Sequence, residues 1–373
     1  MRGSMEENAG EDPAYLGQQL ITCIGNKRRL LDFIGRALEQ VCLRLGQDRL
    51  TLFDVFSGSG VVSRFFKRRA RLLVSNDLEP YSECINRCYL ANRSELPLAE
   101  LKKLHRRLLE RLSGPRQPGF IAELYAPRDE DRIRPGERVF YTPQNACYID
   151  SARQYIGELS KELQPFFIAP LLSEASIHAN TAGVFKGFYK DRATGIGRFG
   201  GVGEDALGRI RGNIALPFPI FSRFECPVEI HREDANTLIR RLPELDLAYI
   251  DPPYNQHPYG SNYFMLNLIT RYERPAALSP VSGIPPSWNR SRYNRKREAA
   301  AALEELALNL KAKFLLVSYN SEGFIGREEM EALLSKTGKL TVLETCYNTF
   351  RGSRNLKQRE IHLSEYLYLV EKT

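Results

Sequence analysis

No stretch of this 373-residue chain approaches the roughly 20 consecutive apolar residues that a membrane-spanning helix requires. The opening Met1–Pro13 is polar and acidic, without the apolar core of a secretory signal. The seven cysteines include no Cys-x-x-Cys pair, and neither Cys84 nor Cys88 has histidines at metal-ligand spacing. Neither a disulfide framework nor a metal site is therefore expected, and reduced, packed thiols point to a cytoplasmic setting. Internal repeats and low-complexity tracts are also missing. Met1-Arg2-Gly3-Ser4 ahead of a second methionine, Met5, reads as an expression leader, and residues 1–14 are left out of the fold.

The composition is that of a globular protein, 43% hydrophobic and 26% charged, long enough for one large domain plus a substantial insertion. A formal net charge of +8 favours an anionic partner. The basic residues gather in clusters at Lys27–Arg29, Lys67–Arg71, Lys102–Arg111 and Arg290–Arg297. Such clusters suit a polyanion, because each neutralised phosphate releases condensed counterions; taken singly, each could equally be a solvated helix face.

Leu50–Phe56 is apolar, β-branched or aromatic, and runs into Ser57-Gly58-Ser59-Gly60. A helical run, Val61–Arg69, follows, then a second strand, Arg71–Ser75, that ends in Asn76-Asp77. Further strands are expected at Val228–His231, Leu245–Ile250, Lys313–Tyr319, Leu340–Tyr347 and Ser364–Val370, with an alanine-rich helix at Glu298–Lys311. Seven strands alternating with helices predict a doubly wound, mostly parallel α/β sheet of Rossmann-like form, with ligands at the carboxyl ends of its strands. Residues 15–91 and 227–373 make up this sheet domain. Residues 92–226 break the rhythm with a polar stretch rich in Gly, Arg and aromatics, too long for a loop and expected to fold as a subdomain. The Pro-punctuated segment Asn255–Asn294 is expected to be a mobile loop.

A glycine-rich turn after a strand lets backbone approach a cofactor where a Cβ would collide. Phe56 to Gly60 fits this role but lacks the third glycine of the dinucleotide fingerprint. On their own, glycines at a strand end more often make a plain tight turn. Their company changes that reading: Asp54, Asp77, Asp234 and Asp251 all fall at strand ends, along one rim of the sheet. Asp251-Pro252-Pro253-Tyr254 is the sharpest signal. The prolines fix φ and carry the chain stiffly out of the sheet, so the Asp251 carboxylate and the Pro252 carbonyl can stand side by side as acceptors. Two acceptors suit an amino group with two protons, and Tyr254 offers a flat face for a base. The plain alternative is a Pro-Pro turn bearing a surface tyrosine.

Cys23-Ile24-Gly25-Asn26-Lys27, Asp54 to Gly60, Asn76-Asp77, Asp234 and Asp251 to Tyr254 together, in this order, resemble the Dam-like group of DNA adenine-N6 methyltransferases. The resemblance extends from about Gln18 to Val370 and is greatest to modification methylases of type II restriction systems. It implies S-adenosylmethionine as cofactor, no metal, double-stranded DNA as substrate, a cognate restriction endonuclease as companion, and a nucleoid-associated bacterial enzyme. Residues 92–226 would then be a target-recognition insertion. Cys23 and Lys27 would meet the methionyl end of the cofactor, Phe56, Gly58 and Gly60 would line it, Asp77 would hold its ribose, and Asp234 would lie near its adenine. Asp251 would serve both cofactor and target base, with Pro252 and Tyr254 completing the catalytic loop. Cys23 stands where the family commonly carries an aromatic residue, so the resemblance leaves open whether the contact there is by side chain or by backbone.

The implied reaction is in-line methyl displacement on a base flipped out of the duplex, with catalysis from positioning and preoriented acceptors. Lys186, Arg192, Arg198, Arg209 and Arg211, on and around the Gly-rich stretch of the insertion, are the candidate DNA contacts; phosphate contacts or plain surface charge are the alternatives. Other readings remain open at this level. They are the same transfer to RNA adenine or to cytosine N4, and a catalytically silent DNA-binding relative. Cytosine C5 transfer is disfavoured, because the chain has Cys226-Pro227 and no Pro-Cys. A nucleotide-dependent dehydrogenase is poorly supported without the third glycine.

Overall fold

The computed structural model describes residues 10–22, 25, 27–201, 206–348 and 362–373. Seven strands form one sheet: β1 (Leu50–Asp54), β2 (Ala70–Asn76), β3 (Val228–His231), β4 (Leu245–Ile250), β5 (Ala312–Asn320), β6 (Gly338–Asn348) and β7 (His362–Lys372). Their order is β3-β2-β1-β4-β5-β7-β6. The first five run parallel, and β7 lies antiparallel between β5 and β6. The strand order reverses between β1 and β4, which opens a crevice at their carboxyl ends.

Period-two alternation assigns the faces of the sheet. Leu52, Leu247, Tyr249, Phe314 and Leu316 point to the side covered by the helices Leu31–Leu45 and Val61–Phe66. Phe53, Ala248, Ile250, Leu315 and Val317 point to the other side, under Lys296–Asn309 and Arg327–Ser335. Both faces are buried, so the central strands are largely apolar, with a few buried polar residues such as Asp246 near their ends. The strand expectations agree with the structure to within a few residues, and the run Val61–Arg69 divides into an α-helix to Phe66 and a 3-10 turn over Lys67–Arg69.

Residues 92–226 hold more regular structure than their polarity suggested. Helices form at Leu98–Ser113, Phe120–Tyr125, Pro143–Gly157 and Pro165–Ile177. They share one apolar core with Tyr81, Ile85 and Tyr89 of the helix Pro80–Tyr89 and with Tyr263, Phe264 and Ile269. The insertion thus grows out of the crossover that leaves β2 and is welded to the segment that follows β4.

That segment is not the free loop expected of Asn255–Asn294. It contains the helices Tyr259–Asn262 and Phe264–Arg271 and is tied to the insertion at several points. Phe185 N donates to Asn262 O at 2.7 Å, Tyr125 OH to Gly283 O at 2.8 Å, and Arg138 reaches Ser279 O at 3.3 Å. Arg274 pairs with Glu123 through both guanidinium nitrogens. Among the described residues, no helix is long and apolar enough to cross a membrane.

Candidate active site

The chain leaves β1 through a tight turn. Ser57 N donates to Asn76 O at 2.9 Å and Gly60 N to Ser57 O at 2.7 Å. Gly58 and Gly60 take φ of 52° and 73°, the left-handed region where a side chain is strained. A Cβ on Gly60 would stand 2.4 Å from Asn86 Oδ1, whereas one on Gly58 would meet nothing within 4 Å. The first glycine therefore opens room and the second permits close packing. Asp77, at the end of β2, accepts from Gly58 N at 2.8 Å and from Glu79 N at 2.9 Å, which couples the acid to the turn.

This turn forms one wall of a cleft of about 880 Å³, counting its open mouth. Lys27, Asp54, Phe56, Gly58, Asp77 and Asp251 all line it, so six of the residues singled out from sequence converge on one space. Gly60 supports the same turn. Pro253 lines the cleft, Pro252 beside it in sequence is buried, and Tyr254 is half-buried, edge-on to Tyr319. Asp234 does not line the cleft: its carboxylate caps the short helix Ala235–Leu238, accepting from Thr237 N at 3.0 Å. Cys23 lies outside the described residues.

The electrostatics centre on two buried charges, Lys27 and Glu365, and the half-buried Asp251. Lys27 Nζ lies 2.6 Å from Glu365 Oε1 and 3.2 Å from Asp251 Oδ1. Burial pushes the Asp251 carboxyl up to about 7; Lys27 pulls it down, and Glu365 pushes it up again. Burial alone would lower the Lys27 ammonium, but Asp251 and Glu365 together hold it well above its ordinary value. Asp54 is pushed to about 7, chiefly by burial, although Ser63 Oγ donates to it at 2.6 Å. Glu79 is likewise raised by burial to about 7, with Asn267 Nδ2 donating at 2.5 Å. Burial also raises Asp77.

Sequence reasoning missed Glu365, Ser318, Tyr249 and Glu79. A signal for Glu365 was present: it shares a strand face with Leu367 and Leu369 of the core, so a carboxylate stands where an apolar residue belongs. Missed too was the closing wall, where Tyr259, Asn289, Ser291 and Asn294 line the cleft. Asn289 Nδ2 donates to Leu78 O at 2.8 Å, fastening this wall to the β2 end.

The candidate DNA contacts divide by geometry. Arg209 donates to the carbonyls of Ile177, Ala179 and Thr181, and Arg198 to Gly201 O at 2.8 Å, so both fasten backbone. Arg192 and Arg211 are exposed. Lys186, also exposed, contacts His257 Nδ1 at 3.1 Å, close to the Asp251–Tyr254 loop.

The sequence model of the D12 class N6 adenine-specific DNA methyltransferases matches residues 24–195 and 220–333. The chain belongs to this family. It is 30% identical over 362 residues to the type II methyltransferase M.NlaIII of Neisseria lactamica, covering 94% of this chain and 99% of that one. It is 28% identical over 355 residues to the type II methyltransferase M.CviAII of Paramecium bursaria Chlorella virus 1, covering 93% and 97%. Against the type II methyltransferase M.FokI of Planomicrobium okeanokoites, identity is 28% over 360 residues, spanning 94% of this chain and 52% of that longer protein. Membership favours adenine in DNA over the RNA and cytosine readings, and the family's reaction implies a methyl-donating cofactor. In this methyltransferase the family match breaks between residues 195 and 220, across the stretch that bears Arg198, Arg209 and Arg211.

Proposed function

We propose that this chain moves a methyl group from S-adenosylmethionine to N6 of an adenine swung out of duplex DNA, as the modification partner of a restriction endonuclease. One observation carries the reading: the glycine turn and Asp251 open into the same cleft. The fit to the cofactor rests on the donor set. Asp54 Oδ1 is buried at the cleft with no partner among the described residues, an acceptor suited to an ammonium group. Gly58 leaves the space a Cβ would fill, and Asp77 offers carboxylate oxygen where ribose hydroxyls can donate.

When bound, S-adenosylmethionine supplies an electrophilic methyl on a sulfonium sulfur. The Asp251 carboxylate and the Pro252 carbonyl accept the two N6 protons and turn the nitrogen lone pair out of the ring plane. Asp251 would accept the N6 proton released by the amino group as the methyl is transferred, with S-adenosylhomocysteine as the other product. Base flipping costs roughly a few kcal/mol. Stacking on Tyr254, worth about 1–3 kcal/mol, offsets part of that. Residues 92–226 and the segment joined to them read the sequence, with Lys186, Arg192 and Arg211 toward DNA and Arg198 and Arg209 as braces.

The test is methyl transfer from tritiated cofactor to plasmid DNA, followed by nucleoside analysis and mapping. Label is expected in N6-methyladenine at one short sequence, and Asp251→Ala should abolish it while DNA is still bound. Label in cytosine, or none with the unaltered chain, overturns the reading.

A further inference from the structure

Glu365 stands fully buried on the apolar face of β7, two and four residues ahead of core Leu367 and Leu369. Its Oε1 accepts from Lys27 Nζ and from Ser318 Oγ, both at 2.6 Å. Lys27, only 5% exposed, is farther from Asp251, at 3.2 Å. Two carboxylates thus share one ammonium in a buried site, an arrangement that costs stability relative to an apolar side chain in the same place. The distances are also uneven. A buried lysine facing one carboxylate closes to a charge-assisted bond of about 2.7–2.9 Å. Here that closure is made on Glu365, the carboxylate away from the cleft, while Asp251, the one that lines it, keeps only a longer hydrogen bond to Lys27.

We propose that Glu365 is a positioning residue that draws the Lys27 ammonium to itself and so leaves Asp251 open as an acceptor for the target amino group. The inference rests on the methyl-transfer reading above. Without Glu365, Lys27 collapses onto Asp251 and occupies the lone pair the substrate needs. The charge balance changes as well. Asp251 is faced by Lys27 from the turn Lys27–Leu30, by Tyr249 from its own strand, by Tyr254 from the loop, by Asp54 from β1 and by Glu365 from β7. Removing the negative charge of Glu365 relieves a like-charge neighbour, so Asp251 stays ionised to lower pH.

The experiment measures kcat/KM for DNA methylation from about pH 5 to 9, where the profile reports groups of the free enzyme. The unaltered enzyme is expected to lose activity as pH falls through the region near 7, where Asp251 takes up its proton. In Glu365→Gln the plateau should drop about tenfold or more while the acid limb moves down by roughly half a unit or more. A residue that merely supports the fold would lower the plateau without moving the limb. Asp54 and Glu79 titrate in the same range, but the charges acting on them come from Asp251 and Asp77 and from Asp77 and Arg271. The limb displacement therefore reports Asp251.

Glu365→Asp keeps the charge but retracts it by one methylene, so its limb should stay in place while its plateau falls. If Glu365→Gln does not fold, the Asp variant decides: a kcat that falls while KM for DNA and the melting temperature stay unchanged supports the inference, and an unchanged kcat, or a loss that tracks the melting temperature, overturns it. An unmoved limb in Glu365→Gln also overturns it, with the methyl-transfer reading intact. Absence of transfer by the unaltered enzyme would instead sink that reading.

Discussion

Asp54 carries a cost that its neighbours only partly relieve. One oxygen accepts from Ser63 Oγ, and the other has no partner among the described residues. Its carboxyl titrates near 7 in the folded protein against 3.8 in an unfolded chain. Between those values the folded state holds the extra proton, so this residue's contribution to stability declines as pH rises from about 4 to 7. Above 7 the buried anion is a standing penalty. Asp54→Asn should therefore raise stability at pH 8 by about 1–3 kcal/mol and change it little at pH 4, as followed by urea unfolding. The same variant should bind S-adenosylhomocysteine more weakly in calorimetry, because the negative charge facing the cofactor's ammonium is lost. Equal stability changes at both pH values would show that the carboxylate is not strained in place. Asp246, at the opposite ends of the strands, has the reverse character: Lys313, Arg71 and Thr51 N satisfy it, and these contacts hold its carboxyl below the usual range despite burial.

At the scale of elements, the turn after β1 shows how two glycines of one motif differ. Both have positive φ, but only Gly60 is hemmed in by Asn86, whose amide is fixed by Ser57 Oγ at 2.9 Å and Ser82 O at 3.0 Å. Gly58→Ala should cost about 1 kcal/mol from backbone strain alone. Gly60→Ala should cost about 2–4 kcal/mol and weaken cofactor binding further, since Asn86 must move. Thermal unfolding of the two variants checks the ranking; equal losses would mean that the Asn86 contact carries no weight.

The strands of this fold were legible because burial on both faces makes them apolar runs closed by acids, as in Leu245–Ile250 before Asp251. The helices of the insertion were not legible. Pro165 and Pro170 fall in Pro165–Ile177, and in Pro143–Gly157 the apolar residues lie all round, with Arg153 and Asp150 also buried. Arg153 reaches the carbonyl of Ile269 at 2.7 Å and Asp150 caps Phe120–Tyr125 through backbone amides, so polar residues do core work that no periodicity reveals. The cleft residues could be read where a motif carried them. Glu365 and Glu79 act through partners distant in sequence, Lys27 and Asn267, which only the fold brings near.

Across the whole molecule, the insertion and the segment after β4 share one core, so the surfaces proposed to read DNA move as a unit with the wall of the cleft. Phosphate neutralisation makes binding salt-dependent, with each lost contact lowering the log–log slope by about 1. Lys186→Ala, Arg192→Ala and Arg211→Ala should each do so in a titration of duplex binding against salt. Arg209→Ala should leave the slope unchanged and lower the melting temperature, because its guanidinium is spent on three carbonyls. A slope that responds to Arg209 and not to the other three would reverse the assignment.

The contact between Lys27 and Glu365 spans 338 positions of sequence. During synthesis or refolding, the acceptor at Asp251 has its final surroundings only once β7 has slid between β5 and β6. Long-range closure of that kind is slow to form. Recovery of methylation after dilution from denaturant should therefore lag behind recovery of helical signal. A chain in which β7 is not yet paired lacks the Lys27–Glu365 contact, so its capacity to mark DNA is expected to appear late in assembly.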